Sequence, residues 1–140
     1  MILEMSEQET EDFLRTQRVG RIGCHVDGRT YVVPVIFAWQ DGCAHVYTTE
    51  GLKVTMMRAN PSVCLEADEY LPSGAWRSAI VQGTYEEQDE DGAARTLSLL
   101  MERMPPSPGR ARERERRAGD RAPVAFVIRA VDITGRKVER

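Results

Sequence analysis

Several stretches of the chain alternate apolar and polar residues with a period of two, which is the pattern of a β-strand with one buried face. The alternation is clearest at residues 22–26, and the longer apolar run Thr30–Trp39 is typical of a strand covered on both faces. Asp27-Gly28 and Asp41-Gly42 favour tight hairpin turns, so we expect the first three strands to form a meander. We predict six strands in all, at residues 22–26, 30–39, 43–49, 63–67, 76–85 and 124–133.

Three segments have helical rather than strand character. Ser6 and Glu9 form a capping-box pattern, which predicts a helix over residues 7–17 that buries Phe13 and Leu14. Good helix formers occupy residues 51–60, and an acidic lead-in suited to a helix N-terminus precedes residues 92–104. Short strands with a few helical insertions predict a mainly β fold, a small closed or partly open barrel.

The composition is that of one folded, soluble domain. The chain has 140 residues, of which 41% are hydrophobic and 29% charged, and this excludes a disordered protein. The net charge of −3 argues against a dedicated nucleic-acid binder. The longest apolar stretch, at residues 31–39, is far shorter than the roughly 20 residues that span a bilayer. With no signal-peptide pattern at the N-terminus, we expect a single cytoplasmic domain over residues 1–140 with no membrane contact.

Residues 105–122 are unusually rich in proline and arginine. One interpretation is an arm that binds phosphate or nucleic acid. The other is a solvated linker within the domain, with a short helix in which Glu113 and Glu115 pair with neighbouring arginines. The segment contains no aromatic residue that would stack on bases, which favours the linker.

The cysteines and histidines do not indicate a metal site. Cys24, Cys43 and Cys64 have spacings unlike those of zinc ligands, and their apolar surroundings predict buried small residues, with a reactive thiol as the alternative. His25 and His45 are the two histidines. We interpret them as surface or partly buried strand residues rather than metal ligands.

The clearest candidate for ligand binding is the segment that leads into the second helix. Thr48 and Thr49 provide hydroxyls, Gly51 allows close approach of the backbone, and Lys53 adds a cation. Free N–H groups and the positive end of the helix dipole lie at such a helix start, which favours an anion such as phosphate.

Pro34 interrupts the hydrogen-bonding capacity of the second strand, because proline has no N–H to donate. Either a ligand replaces the neighbouring strand at this point, or the proline marks a bulge. The residues alone leave both interpretations open.

Taken in order, these motifs resemble the FMN-binding split-barrel family related to pyridoxamine 5′-phosphate oxidase. The resemblance covers residues 6–90, with residues 133–136 as a family-like end. The matching elements are Val33-Pro34-Val35, Asp41-Gly42, Tyr47-Thr48, Gly51-Leu52-Lys53, Asn60-Pro61 with Val63, and WRSAIVQG at residues 76–83. The resemblance implies a six-stranded split β-barrel.

The resemblance also implies a homodimer with FMN at the subunit interface. The backbone of residues 33–35 would meet the polar edge of the isoalloxazine, and the threonine–lysine segment would hold the phosphate. Ser78, on a neighbouring strand, would add a hydroxyl, and Trp76 would either contact the cofactor or lie in the core. The residues assigned to cofactor binding are Val33, Pro34, Val35, Tyr47, Thr48, Thr49, Gly51, Lys53, Trp76 and Ser78.

The function that this resemblance implies is an oxidoreductase. FMN would carry electrons from a reduced nicotinamide to a small acceptor, and no side chain stands out as a catalytic acid or base. The alternative is a non-catalytic module that binds flavin, haem or a deazaflavin. Within the family the chain looks closest to the nitroimidazole-resistance branch, except that Leu52 replaces the histidine usual in that branch.

Overall fold

Strands dominate the fold, as expected from the alternating pattern. The structure is a computed structural model that describes residues 1–104, 107–109, 112, 116 and 119–140. In chain order the elements are β1 (Leu3–Met5), α1 (Glu7–Thr16), β2 (Val19–Val26), β3 (Arg29–Ile36), β4 (Ala38–Gln40), β5 (Cys43–Thr49), α2 (Leu52–Ala59), β6 (Ser62–Tyr70), β7 (Trp76–Glu87), α3 (Glu90–Arg103) and β8 (Pro123–Val138). The predicted mainly β class is confirmed.

The strands form one antiparallel sheet in the order β3-β2-β6-β7-β8-β5-β4, with β1 paired to β8. The two terminal strands of this order, β3 and β4, are consecutive in the sequence and separated by Phe37 alone. A sheet whose two ends are joined by one residue must curl round on itself. The result is an open barrel.

The predicted number of six strands is wrong, because the described part of the sheet has eight. The apolar run at residues 30–39 breaks at Phe37, whose side chain is fully buried and whose N–H donates to the carbonyl of Arg18. The three-residue β1 is too short for its alternation to be recognised in the sequence. The predicted meander is also wrong, because β3 pairs with β2 and β4 pairs with β5 at opposite ends of the sheet.

The two hairpin turns form as predicted. Asp27 and Asp41 have φ values of 51° and 54°, and the glycines that follow have φ values of 77° and 70°. Positive φ at both central positions defines the turn type whose twist matches that of the flanking strands. Since β2 and β3 pair without a register shift over their full length, Pro34 does not mark a bulge; it lies on an edge strand.

The first helix begins where the capping box predicts. The Ser6 hydroxyl accepts from the backbone N–H of Glu9 at 3.1 Å, and Phe13 and Leu14 are buried against the barrel as expected. The tryptophan of the core is Trp39, which is fully buried and donates from its indole nitrogen to Glu11 at 3.2 Å.

The other helices lie within two residues of their predicted bounds at each end. The third, α3, begins at Glu90 rather than Gly92, because the Asp89 carboxylate caps it by accepting from the Gly92 N–H at 2.8 Å. Half of the predicted linker, nine of the 18 residues at 105–122, lies outside the described residues, including Glu113 and Glu115 with their expected arginine pairs. None of the described helices combines the length and hydropathy of a membrane-spanning helix.

Candidate functional site

The junction between β5 and α2 brings four of the sequence-predicted site residues together. Thr48 and Thr49 end β5, and Lys53 lies in the first turn of α2. Gly51 occupies the N-cap position in a fully extended conformation (φ 178°, ψ −174°) and provides no side-chain cap. The first N–H groups of α2 therefore have no capping side chain, a state in which a helix start accepts an anion.

The threonine hydroxyls at this junction are available to a ligand. Both side chains are half-buried. In the part of the chain that the structure describes, neither hydroxyl has a protein hydrogen-bond partner, and no buried polar side-chain atom is left without one. These hydroxyls are therefore solvated rather than committed to the fold.

Lys53 is a half-buried cation in the first turn of α2. Burial lowers the pKa of its ammonium, and the nearby guanidinium of Arg121 lowers it further. Within the described residues, no carboxylate lies within ion-pair distance of Lys53. An anion bound beside Lys53 would raise this pKa again.

The second set of predicted residues lies on β3, one end of the sheet. Val33 and Val35 point inward and pack against the core, whereas Pro34 is exposed. β3 contacts β5 without hydrogen bonding to it. The structure therefore places residues 33–35 on an edge strand that lies against the strand bearing Tyr47, which is half-buried.

Trp76 and Ser78, the remaining predicted site residues, lie away from the β5–α2 junction in the single chain. They belong to β7, which pairs with β6 and β8, and so is not a neighbour of β5 as the sequence analysis expected. Ser78 pairs with Arg136 and Thr48 pairs with Val124. Val124 and Arg136 are 12 residues apart on β8, which is about 40 Å along a strand. Within one chain, neither residue joins the threonine–lysine group.

Trp76 is not a core residue either. It is half-buried, and its ring lies 6.2 Å from that of Tyr70 at a tilt of 36°. It also lines a cavity of about 310 Å³ together with Arg77 and Lys137. Both of these cations already have carboxylate partners, Glu69 and Glu9 respectively.

The cysteines are free, and two of the three are buried as predicted. Burial raises the pKa of the Cys24 and Cys43 thiols, which makes them poor nucleophiles. Cys64 is half-buried. His25 is exposed and His45 half-buried, and no group of three or more potential metal ligands occurs among the described residues.

Two cations at this site were not predicted from the sequence. Arg121 approaches Lys53 only because β8 pairs with β5, which brings the start of β8 to the end of β5. Arg58, at the end of α2, forms ion pairs with Glu50 and Glu87. The sequence predicts a helix over the segment that contains Arg58. Its partner Glu87 lies on β7, however, and no sequence signal connects the two residues.

A comparison with models of known families identifies the family of this chain. The model of the pyridoxamine 5′-phosphate oxidase family matches residues 6–137, and the chain belongs to that family. The sequence-based resemblance to flavin-binding split barrels is thereby confirmed.

Solved structures with the same fold include two that can be compared with this chain over nearly its whole length. A FAD-binding protein from Mesorhizobium loti is 29% identical, with a TM-score of 0.78 and coverage of 100% of this chain and 98% of that one. A candidate 5-nitroimidazole antibiotic resistance protein from Bacteroides thetaiotaomicron is 18% identical, with a TM-score of 0.73 and coverage of 99% and 92%. At that identity the second similarity establishes a shared fold and no shared substrate.

Among curated proteins, an uncharacterized protein of Rhizobium meliloti is 30% identical over 83 residues. The match covers 59% of this chain and 55% of that protein. The chain thus spans about half the length of the curated relative that it matches.

Proposed function

We propose that this protein binds FMN at the β5–α2 junction and passes electrons from a reduced nicotinamide to a small acceptor. The observation that carries the proposal is the environment of Lys53, a half-buried cation that has no carboxylate partner among the residues that the structure describes. An ester phosphate with close to two negative charges supplies the missing anion. Thr48 and Thr49 offer hydroxyls to the same phosphate.

The flavin ring would lie at the open edge of β3. An edge strand carries backbone N–H and C=O groups that no further strand satisfies. Those near residues 33–35, among them the carbonyl of Pro34, would be offered to the polar edge of an isoalloxazine. A bound flavin supplies the electron-transfer chemistry. The protein residues bind and orient it, and the relative from Mesorhizobium loti, described as FAD-binding, supports a flavin as the ligand class.

A second copy of the chain would complete the site. β3 was expected to be covered on both faces, but in the single chain its outer face is open: Val32 is 62% exposed and Ile36 51%. Cross-strand partners share a face, so Val19, which pairs with Ile36 and is 48% exposed, extends this apolar surface onto β2. Apolar patches of this kind mark interaction surfaces.

The same face continues across the sheet and contains charges that help to orient a partner. Pro34 pairs with Arg21, Arg21 with Glu66, and Glu66 with Ile80, which is 44% exposed. Arg21 lies 3.4 Å from Glu66 and 3.2 Å from Asp68. We propose that this face forms a homodimer with FMN at its interface.

Absorption spectroscopy of the purified protein tests the proposal. FMN, FAD and riboflavin are each titrated into the protein after any bound ligand has been removed, and reduced nicotinamide is then added without oxygen. We expect FMN to bind and its visible band to bleach. Tighter binding of FAD would overturn the choice of FMN, a Soret band would indicate haem, and a bound flavin that does not bleach would indicate a binding module.

A further inference from the structure

Arg58 connects α2, the end of β7 and the segment between β5 and α2 that would bind the phosphate. Its Nη1 and Nη2 atoms donate to the two carboxylate oxygens of Glu50 at 2.8 and 2.7 Å. Its Nε and Nη2 atoms donate to the two oxygens of Glu87 at 2.7 and 3.1 Å. The guanidinium thus makes a fork-like contact with each carboxylate, the geometry that gives arginine pairs their specificity.

Each partner of Arg58 is itself held in place. The Glu87 carboxylate also accepts from the Tyr85 hydroxyl at 2.7 Å, and both Arg58 and Tyr85 lower its pKa. The N–H of Glu50 donates to the carbonyl of Ala122 at 2.9 Å. Glu50 lies between Thr49 and the Gly51 N-cap, so its side chain fixes the middle of the segment that would surround a phosphate.

Arg58 is poorly placed to bind a phosphate itself. Four of the five guanidinium N–H groups are accounted for by the two carboxylates, because Nη2 donates to both. Two neighbouring anions would also repel an approaching phosphate. Lys53, which has no carboxylate partner in the described part of the chain, is better placed to bind the ligand.

We propose that Arg58 is a positioning residue for the phosphate site, which it shapes by holding Glu50 against the fixed Glu87. This inference rests on the proposed function. An extended glycine next to Glu50 leaves the backbone free to take other conformations. The arginine bridge selects one of them and so sets the path of the chain from Thr49 to the start of α2. A binding constellation loosened by about 1 Å loses much of its affinity.

The experiment measures dissociation constants for FMN and riboflavin by flavin fluorescence in the wild type, R58A, R58K and E50Q. We expect R58A to weaken FMN binding about tenfold, which corresponds to about 1.4 kcal/mol, and to leave riboflavin binding unchanged. R58K should restore little, because an ammonium cannot make two fork contacts. E50Q removes the charge of Glu50 but leaves the ion pair between Arg58 and Glu87. It should therefore weaken FMN binding about threefold, less than R58A.

A matched control is R129A, which removes another exposed arginine–glutamate pair, Arg129 with Glu86 at 2.8 Å, outside the β5–α2 junction. It should leave both dissociation constants unchanged. If R58A does not fold, the E50Q variant provides the test, because it keeps the ion pair between Arg58 and Glu87. The inference is overturned if the FMN-to-riboflavin preference survives in the folded variants, or if both ligands weaken equally. A wild type without that preference would overturn the proposed function instead.

Discussion

Ile36 and Ala38 are separated by a single residue, yet they lie at opposite ends of the sheet order. Ile36 pairs with Val19 of β2, and Ala38 pairs with His45 of β5. Phe37, which joins them, is fully buried and donates its N–H to the carbonyl of Arg18 at 2.9 Å. This residue therefore joins the two ends of the open barrel.

Replacement of Phe37 should destabilise the fold strongly. Loss of a fully buried phenylalanine removes apolar burial and leaves a cavity, so we expect F37A to lower the free energy of unfolding by about 3–5 kcal/mol. Urea denaturation measures the change. V131A is the control, because Val131 is 77% exposed and its truncation should change stability by less than about 0.5 kcal/mol. Equal effects of the two substitutions would contradict the role given to Phe37.

Removal of the Lys53 cation should weaken FMN binding. A charge-assisted hydrogen bond contributes about 1.5–3 kcal/mol, so we expect K53A to raise the FMN dissociation constant roughly ten- to a hundredfold. K53E should raise it further, because it adds repulsion to the lost contact. Fluorescence titration measures all three proteins.

Riboflavin provides the control for Lys53 because it lacks the phosphate. It should bind the wild type more weakly than FMN does, and K53A should hardly alter its dissociation constant. Equal FMN affinity in the wild type and K53A would show that Lys53 is an ordinary surface lysine of α2.

A charge placed on the outer face of β3 should prevent dimer formation. Ile36 is 51% exposed in the single chain, so I36E should leave the subunit folded while it places a carboxylate in the proposed interface. We expect a dimer for the wild type and a monomer with weakened flavin binding for I36E, measured by light scattering at micromolar concentration. L71E, at a residue 47% exposed in the β6–β7 turn, should remain dimeric. A monomeric wild type would exclude the proposed dimer.

The free energy of unfolding should decrease as the pH is lowered, because His45 becomes protonated. Burial lowers the pKa of this imidazole below its ordinary value of 6.5, so the unfolded chain binds the proton more readily than the folded one. The contribution of His45 to the free energy of unfolding is present above about pH 6.5. It is lost as the pH falls through the pKa that His45 has in the folded protein.

The test compares urea denaturation of the wild type and H45Q at about pH 7.5 and pH 5.5. H45Q should lose less stability between the two conditions, since it lacks the titrating group. H25Q, at an exposed histidine, should keep the pH dependence of the wild type. The same slope in all three proteins would contradict the assignment to His45.

Local sequence patterns were sufficient to predict many individual elements. The capping box at Ser6 located the start of α1, and the aspartate–glycine pairs located both hairpins. These features depend on residues within a few positions of one another, whose backbone preferences act wherever the chain is placed. The motif at residues 48–53 likewise identified the start of a helix, with two threonines before it and a lysine in its first turn.

The strand order and the composition of the site depended on tertiary structure. An uninterrupted apolar run gave no reason to divide residues 30–39, because the break at Phe37 exists only where the sheet curls and its ends meet. Likewise, no local pattern showed that β7, the strand of Ser78, pairs with β6 and β8 rather than with β5. Arg58 and Glu87 are 29 residues apart, and Lys53 and Arg121 are further apart still. Local preferences carry no information about such pairs, because their proximity follows from strand pairing across the whole barrel.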